Sequence, residues 1–494
     1  MLCIAVPLTI VGICIWRIVN ADPGDRFFDD FYYYIDVGRN WVSGHGATFF
    51  PGEPTNGYHP LWFLWLSALI WIFGDGPTLF AMVDLSITAL LIGFFFMFRS
   101  FLRRVTRHSL SATAGACVAL IAIAPRAMWG LEMALVAFVA AVVLCFFSAK
   151  PIADRSARDA AVGGLLVAVM VLSRLDSAAF IPGLFVVAFP LWDWRKRCAF
   201  VGGLSPAFGY AVFNLIVYGH VATTSMAAKS LSLYLPPNWH FITTETPFAG
   251  ARELLVGAAV IMAVLLLVHR KSDSDIRRLS IALATTPILQ LLAQLFLSGW
   301  APYPWYWYFD FMTIGLAVAL VVERLQETRL SDIRISAFAV AAVLLAYPLS
   351  FQGGLTPNRD IARIATQLQH FAADHPGVYA MGDAAGTPGW VLGRPIVHLE
   401  GLMMSHQFLD RIRQGQPLPQ VFRDYHVNYY VAVRPSATDP DGCLEYFEPN
   451  PSQSSPRSPH LTATVCRPPL NEFTVSDRYL VRIYAVDPNT GAIG

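Results

Sequence analysis

Charge is scarce in this chain, and lysine is the scarcest charge of all. Only 14% of the 494 residues are charged, and the lysines number four, at 150, 196, 229 and 271. Soluble domains carry about 25% charged residues, so a chain that is 55% hydrophobic and this poor in charge is a polytopic membrane protein. A net charge of +1 gives nucleic acid no basic surface to bind. Metal-type cysteine spacing is also missing, since no CxxC occurs. Five cysteines (Cys3, Cys14, Cys117, Cys145 and Cys198) lie in apolar segments and read as small buried hydrophobes. Cys443 and Cys466 lie in a polar region and are disulfide candidates if that region faces an oxidising compartment. Neither a Walker loop nor a Gly-x-Gly-x-x-Gly fingerprint is present, so a soluble nucleotide donor has no evident docking site. No basic stretch precedes the first apolar run, and residues 2–19 are expected to form a retained first span rather than a cleaved signal.

Apolar runs fill most of the first 350 residues. They recur at about 2–19, 60–73, 78–98, 109–124, 133–149, 160–172, 178–192, 198–217, 251–268, 279–298, 310–322 and 335–350. The intervening loops are of two kinds. Loops 99–108, 150–158, 195–197, 269–278 and 323–334 are basic; loops 20–59, 125–132, 173–177, 218–250 and 299–309 are aromatic, acidic or rich in proline and glycine. The positive-inside rule places the first set in the cytoplasm and the second outside. That alternation includes loop 20–59 only if 60–73 does not cross. The segment is Trp-rich and shorter than the ~20 residues a span needs, so it is expected to be an interfacial or re-entrant helix. Segments 160–172 and 178–192 are also short, yet parity requires both to cross as a hairpin with Arg174 and Asp176 at its outer tip. The expected fold is an α-helical polytopic membrane protein of about eleven spans plus the interfacial helix, with its N-terminus in the cytoplasm.

Residues 351–494 change character, with no long apolar run, many prolines and no lysine. Ile361, Ile364, Leu368 and Phe371 have helical spacing over 359–371, and residues 378–381, 396–399, 428–433 and 479–486 read as short strands. Residues 435–475, rich in proline and serine, are expected to be a long loop. The division is therefore a transmembrane domain, 1–350, and a small extracytoplasmic α/β domain, 351–494.

The chemistry gathers on the outer side. Residues 27–62 open on the adjacent carboxylates Asp29 and Asp30 and close on Thr55-Asn56-Gly57-Tyr58-His59-Pro60, with Asp36, Arg39, Asn40, His45 and Glu53 between. Adjacent acids at a membrane edge are costly to hold charged. Arg126, Glu132, Arg174, Asp176, Lys229 and the aromatic run 303–308 fall on the same side. Convergence of acids, bases and aromatics on one face suggests one site. Plainer readings stand beside this one: Arg174 and Asp176 as a hairpin-capping ion pair, Glu132 as a helix end, the aromatic run as an interfacial belt. Lys229 is the one outward lysine. A lone ammonium among Thr223, Thr224 and Ser225 suits a lipid phosphate, and its plainer reading is a snorkelling surface lysine.

Asp29-Asp30 after the first span, Arg39-Asn40, Gly44-His45-Gly46 and Thr55-Asn56-Gly57-Tyr58-His59-Pro60-Leu61-Trp62 together resemble the GT-C superfamily of polytopic glycosyltransferases. The element His59-Pro60-Leu61 is similar to the His-Pro-Pro of protein O-mannosyltransferases and the Lys-Pro-Pro of aminoarabinose transferases, with Leu61 in place of the second proline. Gly130-Leu131-Glu132, Ser173-Arg174-Leu175-Asp176, Trp305-Tyr306-Trp307-Tyr308-Phe309, Gly382-Asp383-Ala384-Ala385-Gly386 and Leu399-Glu400-Gly401-Leu402 resemble a bacterial branch with arabinofuranosyl- and mannosyltransferase-like members.

The resemblance implies a multi-pass enzyme of the bacterial cytoplasmic membrane. It would move a sugar from a polyprenyl-phosphate donor to an acceptor hydroxyl on a glycan, lipid or protein. One carboxylate of Asp29 and Asp30 would be the general base, with Asp29, the leading acid, the first choice. Lys229 and Arg174, then His59, would hold the leaving phosphate. Glu132 or Asp176 would be a second acid, orienting the acceptor or holding a divalent metal, and metal dependence stays open. Tyr58, His45, Trp305 and Tyr306 would contact sugar or lipid. Two other classes fit a polytopic chain, a lipid or sugar transporter without bond chemistry and an assembly subunit. The large acid-led first loop and the lack of visible inverted repeats favour the transferase.

Overall fold

The computed structural model describes residues 2–230, 233–239, 249–268, 273–300, 303–327, 357–433, 437–438, 442–451, 454–455, 457–477 and 479–494. Helices account for nearly everything up to residue 327. They are α1 (Leu2–Asn20), α2 (Pro23–Arg26), α3 (Asp29–Val42), α4 (Pro60–Phe73), α5 (Pro77–Val105), α6 (Ser109–Ala127), α7 (Met133–Ser148) and α8 (Ala157–Ser173). There follow α9 (Ile181–Ala188), α10 (Trp194–Gly203), α11 (Ser205–Tyr218), α12 (Thr224–Lys229), α13 (Ala249–Val268), α14 (Ser274–Leu297) and α15 (Tyr308–Glu327).

Every expected span that falls on described residues is helical, and the expected span 335–350 lies outside them. By length and apolar composition, three of the described helices can cross a bilayer alone: α5, α6 and α14. The expected span 198–217 is broken into α10 and α11, bent by 49°. Pro206, near the start of α11, has no N–H for a helix running on from α10. The expected span 178–192 is likewise not one regular helix, because α9 is flanked by 3-10 turns at Leu175–Phe180 and Phe189–Leu191. Pro182 and Pro190 sit at the starts of α9 and the second turn. Small residues let α6 and α15 touch backbone to backbone. A Cβ on Gly315 would lie 2.6 Å from Gly115 O and 2.9 Å from Ala119 Cβ.

Loop 20–59 is not all loop, as the sequence had suggested. Residues 29–42 form α3, whose first turn carries Asp29 and Asp30, where acids suit a helix start. Its aromatic residues Phe31, Tyr32, Tyr33 and Tyr34 are all buried.

The C-terminal part is a small α/β domain. It contains α16 (Arg359–Asp374), β1 (Tyr379–Met381), α17 (Gly386–Leu392), β2 (Ile396–His398), α18 (His406–Arg413), α19 (Leu418–Asp424) and β3 (Tyr429–Ala432). It continues with β4 (Ala437–Thr438), β5 (Leu444–Glu448), β6 (Leu461–Val465), β7 (Asn471–Ser476) and β8 (Tyr479–Ala485). A five-stranded sheet runs β2-β1-β3-β8-β7, parallel across β2-β1-β3 and antiparallel beyond. Residues 435–475 are therefore not the long loop expected. They hold β4, β5 and β6, a second small sheet, and most of β7. A disulfide joins Cys443 to Cys466 across that sheet. In Leu461–Val465 buried and exposed residues alternate, the period of a half-buried strand that the flanking prolines and serines had obscured.

Candidate active site

Consecutive helix residues point about 100° apart, and α3 uses this to send its two leading acids to different places. Asp30 faces a cavity of about 50 Å³ lined by Tyr33, Tyr34, Gly57, His59, Leu131, Glu132, Arg174, Ser225, Lys229, Trp305, Tyr306, Leu402 and Met403. Asp29 faces the C-terminal domain: Gly386 N and Thr387 N donate to its carboxylate at 3.1 and 2.7 Å, and Thr387 Oγ1 donates at 2.8 Å. The start of α3 is pinned by Phe28, whose N–H donates to Trp129 O (2.9 Å) and whose ring lies 5.1 Å from Trp129 and 5.3 Å from Trp305.

Burial pushes the Asp30 carboxyl up to about 7; Lys229 pulls it down, and the acids Asp29, Glu132 and Asp383 raise it. Asp29 is pushed up by burial to about 6, its three hydrogen bonds opposing the rise. A carboxylate near 7 is poised to take a proton at neutral pH.

Cations line the opposite wall. Arg174 is 1% exposed. It pairs with Glu132 through Nη1 and with Asp176 through Nε (2.8 Å), and its guanidinium lies over Tyr306 at 4.3 Å. Glu132 also accepts from Tyr34 Oη (3.2 Å), and Asp176 from Tyr308 Oη (3.3 Å). The ion pair at the 174–176 turn therefore exists and reaches into the site through Glu132. Lys229 donates to Tyr306 Oη (2.9 Å) and makes no ion pair among the described residues. Burial pulls its pKa down, but Tyr306 and Asp30 outweigh that, and the ammonium is held above its ordinary range.

His59 differs from the two cations beside it. Burial, and then the charge of Arg174, pushes its imidazole down to about 3. Its Nδ1 accepts from Leu175 N (3.3 Å), and Nε2 lies 3.5 Å from Glu132 Oε1. It is a neutral spacer between the first loop and the 174–176 turn.

A second, mainly apolar cavity of about 390 Å³ adjoins the first and shares His59, Ser225, Lys229 and Tyr306 with it. Leu175, Ala179, Pro182, Met226, Leu289, Ala293 and Leu297 form its apolar walls, and Asp176 stands at its edge rather than in the smaller cavity.

The Thr55-Asn56-Gly57 element joins three parts of the chain. Asn56 Oδ1 accepts from Thr224 N (2.8 Å), Thr55 Oγ1 lies 2.9 Å from Thr224 Oγ1, and Thr224 Oγ1 donates to Leu402 O (3.1 Å). A Cβ on Gly57 would strike Leu402 O and come within 2.9 Å of Thr224 Oγ1, so only glycine fits.

Sequence reasoning thus placed Asp30, His59, Glu132, Arg174, Lys229, Trp305 and Tyr306 in one site, and all line the small cavity. Two expected contacts lie elsewhere. Tyr58 stacks on Phe63 at 3.8 Å with its hydroxyl 3.5 Å from that of Tyr218, which makes it a packing residue. His45, between Gly44 and Gly46 at φ 81 and 78, is carried into solvent by the turn that ends α3. Tyr33, Tyr34 and Met403 were missed, while Ser225 had been noted only as a hydroxyl near Lys229 and Leu402 only as part of the Leu399–Leu402 motif. Tyr33 and Tyr34 had a signal, lying three and four residues after Asp30 on the same helix face. Leu402 and Met403 come from the C-terminal domain, and no spacing rule joins them to the first loop.

A divalent metal has no suitable donor set here. Among the described residues no three His, Cys, Asp or Glu side chains form a group that could hold an ion. Within the cavity Glu132 is already engaged by Arg174 and Tyr34, which leaves Asp30 beside two cations.

No protein-family model matches the chain, and no curated protein sequence matches it. Solved structures do match in fold. One is the archaeal oligosaccharyltransferase AglB from Archaeoglobus fulgidus, in complex with an inhibitory peptide and a dolichol-phosphate. It has a TM-score of 0.56 and 12% identity over 87% of this chain and 69% of that one. Another is ArnT from Cupriavidus metallidurans, with a TM-score of 0.52 and 14% identity in the form bound to undecaprenyl phosphate, over 96% of this chain and 97% of that one. Its apo state gives a TM-score of 0.54 over the same shares. The chain therefore shares its fold with these two structures.

Proposed function

We propose that this chain is a glycosyltransferase that moves a sugar from a polyprenyl-phosphate donor to an acceptor hydroxyl on the outer face of the bacterial cytoplasmic membrane. The observation that carries the proposal is the junction of the two cavities. A carboxylate poised near 7 and two cations line a small polar chamber, which adjoins an apolar chamber suited to a prenyl chain. The fold shared with AglB and ArnT agrees with it.

In this reading the prenyl chain lies along Leu175, Pro182, Leu289 and Leu297, and its phosphate meets Lys229 and Arg174. Asp30 takes the proton of the acceptor hydroxyl as that oxygen attacks the anomeric carbon. The bond from that carbon to the phosphate oxygen breaks, and the cations stabilise the polyprenyl phosphate that leaves. Asp30, rather than Asp29, is the base, because both Asp29 oxygens are held by Gly386 and Thr387. Trp305 and Tyr306 line the chamber that would hold the sugar. The transmembrane catalytic part is 1–350 and the extracytoplasmic domain 351–494, with the N-terminus in the cytoplasm.

The test is incorporation of label from undecaprenyl-phosphate-mannose and undecaprenyl-phosphate-arabinofuranose, run in parallel with a cell-envelope extract as acceptor. Transfer releases undecaprenyl phosphate together with a labelled glycan, lipid or protein product. A transporter would move the lipid without releasing it.

A further inference from the structure

The pocket is not closed by the membrane part alone. Leu402 and Met403 of the C-terminal domain form one wall, so how that domain sits on α3 decides the shape of the site. Asp29 stands at the centre of that seating. Its Oδ1 accepts from Thr387 N and Thr387 Oγ1 and its Oδ2 from Gly386 N. Thr387 Oγ1 in turn accepts from Asn358 Nδ2 (2.7 Å), and Asn358 Nδ2 also donates to Gly24 O (2.8 Å). Gly386 has no side chain because a Cβ there would strike the Asp29 carbonyl oxygen. One turn on, Tyr33 Oη accepts from Ala385 N (3.1 Å). The segment being gripped is under backbone strain, with Ala384 at φ 62, a conformation a non-glycine residue keeps only when its surroundings enforce it.

We propose that Asp29 is a positioning residue, whose carboxylate latches Gly386 and Thr387 onto the start of α3 and so holds Asp30 and the Leu402–Met403 wall in one arrangement. This deepens the glycosyltransferase reading and rests on Asp30 being its base. The two carboxylates then have separate tasks: one touches the reacting hydroxyl, the other joins the domains. A latch of this kind can be replaced by any bond of similar reach, whereas a base cannot.

The experiment uses the full chain in nanodiscs, the two undecaprenyl-phosphate sugars named above, and release of undecaprenyl phosphate as readout. Asp29→Ala is expected to slow release about tenfold to a hundredfold, the cost of a site displaced by an ångström or so. The double substitution Asp29→Cys with Thr387→Cys, once oxidised, should bring release back to within about threefold of the parent, and reduction should abolish the gain. A cross-linked protein as slow as Asp29→Ala would mean that the carboxylate itself is chemically required, which overturns the proposal. Failure of the two cysteines to cross-link would refute the contact on which it rests. The pH profile separates positioning from a general folding role. Asp29→Asn removes a negative charge beside Asp30 and should move the acid limb of turnover to lower pH, whereas an unmoved limb contradicts the proposal. Asp30→Asn is the control for the underlying reading: if it releases product at the parent rate, the base assignment falls, and the cross-linked pair still decides whether Asp29 acts as a latch.

Discussion

Replacing Lys229 by methionine removes the one cation of the site that makes no ion pair among the described residues, although the Asp30 charge lies close enough to hold its ammonium above the ordinary range. Arg174 carries Glu132 and Asp176 with it, so its charge is largely met before any donor arrives. Lys229 makes its hydrogen bond to the Tyr306 hydroxyl, at 2.9 Å, has the Tyr306 ring 5.6 Å from Nζ, and feels the Asp30 charge without pairing with it. A donor phosphate in the small cavity would therefore draw most of its net attraction from this residue. A charge-assisted hydrogen bond contributes about 1.5–3 kcal/mol, which corresponds to roughly a tenfold to hundredfold change in Kd. Methionine keeps the length and apolar stem of lysine, so the walls of both cavities stay in place. The assay is binding of undecaprenyl phosphate, with and without an attached sugar, to Lys229→Met in nanodiscs. Both ligands should weaken, the more highly charged monoester undecaprenyl phosphate at least as much as the sugar phosphodiester, and the acceptor should be unaffected. Equal affinity for parent and variant would show that Lys229 is a snorkelling residue and that the argument from unpaired charge is wrong.

Other expectations follow from the same geometry. Arg174→Met leaves Glu132 buried without its cation, and should destabilise the fold by about 3–5 kcal/mol; a melting temperature equal to that of Lys229→Met would contradict this. The buried acids set a pH dependence of stability. Glu448, 6% exposed, is pushed by burial from 4.5 up to about 8, so the folded state holds its proton more tightly than the unfolded state does. Its stabilising contribution is complete below about pH 4.5 and is lost as the pH rises towards 8, so melting temperature should fall between pH 5 and 8. Glu448→Gln should flatten that slope, and an unchanged slope would remove Glu448 from the account. Membrane orientation is checked by labelling single cysteines, with the exposed Cys198 first replaced. Reagent added outside should reach positions 45 and 394 but not 104 or 274, and outside labelling of position 104 would invert the topology.

How much of this was legible in the sequence depends on how local the signal is. Apolar runs and basic loops are properties of single segments, and the helices fall where those runs predict. Acids of the first loop, Glu132, Arg174 and Lys229 could be grouped from the sequence because the positive-inside rule assigned them to one side, and Asp30, Glu132, Arg174 and Lys229 do line one cavity. What could not be read was direction. Asp29 and Asp30 are identical in composition and adjacent in the chain, and only the docking of Gly386 and Thr387 decides that Asp29 is the tether and Asp30 the group in the cavity. The preference for the leading acid therefore had no physical basis. That burial and the Arg174 charge push the His59 imidazole down could not be read from the sequence either. Residues 435–475 looked like loop because their prolines and serines hid strands of only a few residues, which are held by pairing with one another and by a disulfide within the same segment.

The central claim is that Asp30 is the base of a polyprenyl-phosphate-dependent glycosyl transfer, and one measurement bears on it most directly. Label transfer from the two undecaprenyl-phosphate sugars is followed for the parent and for Asp30→Asn across pH 5 to 9, alongside donor affinity. The parent should transfer label from one of the donors, with a rate that falls about tenfold per pH unit below about 7, where the Asp30 carboxyl takes up its proton. Asp30→Asn should bind donor within about threefold of the parent yet lose at least about a hundredfold in turnover, with the acid limb gone from whatever rate remains. Transfer by Asp30→Asn near the parent rate, with the limb near pH 7 intact, would contradict the account.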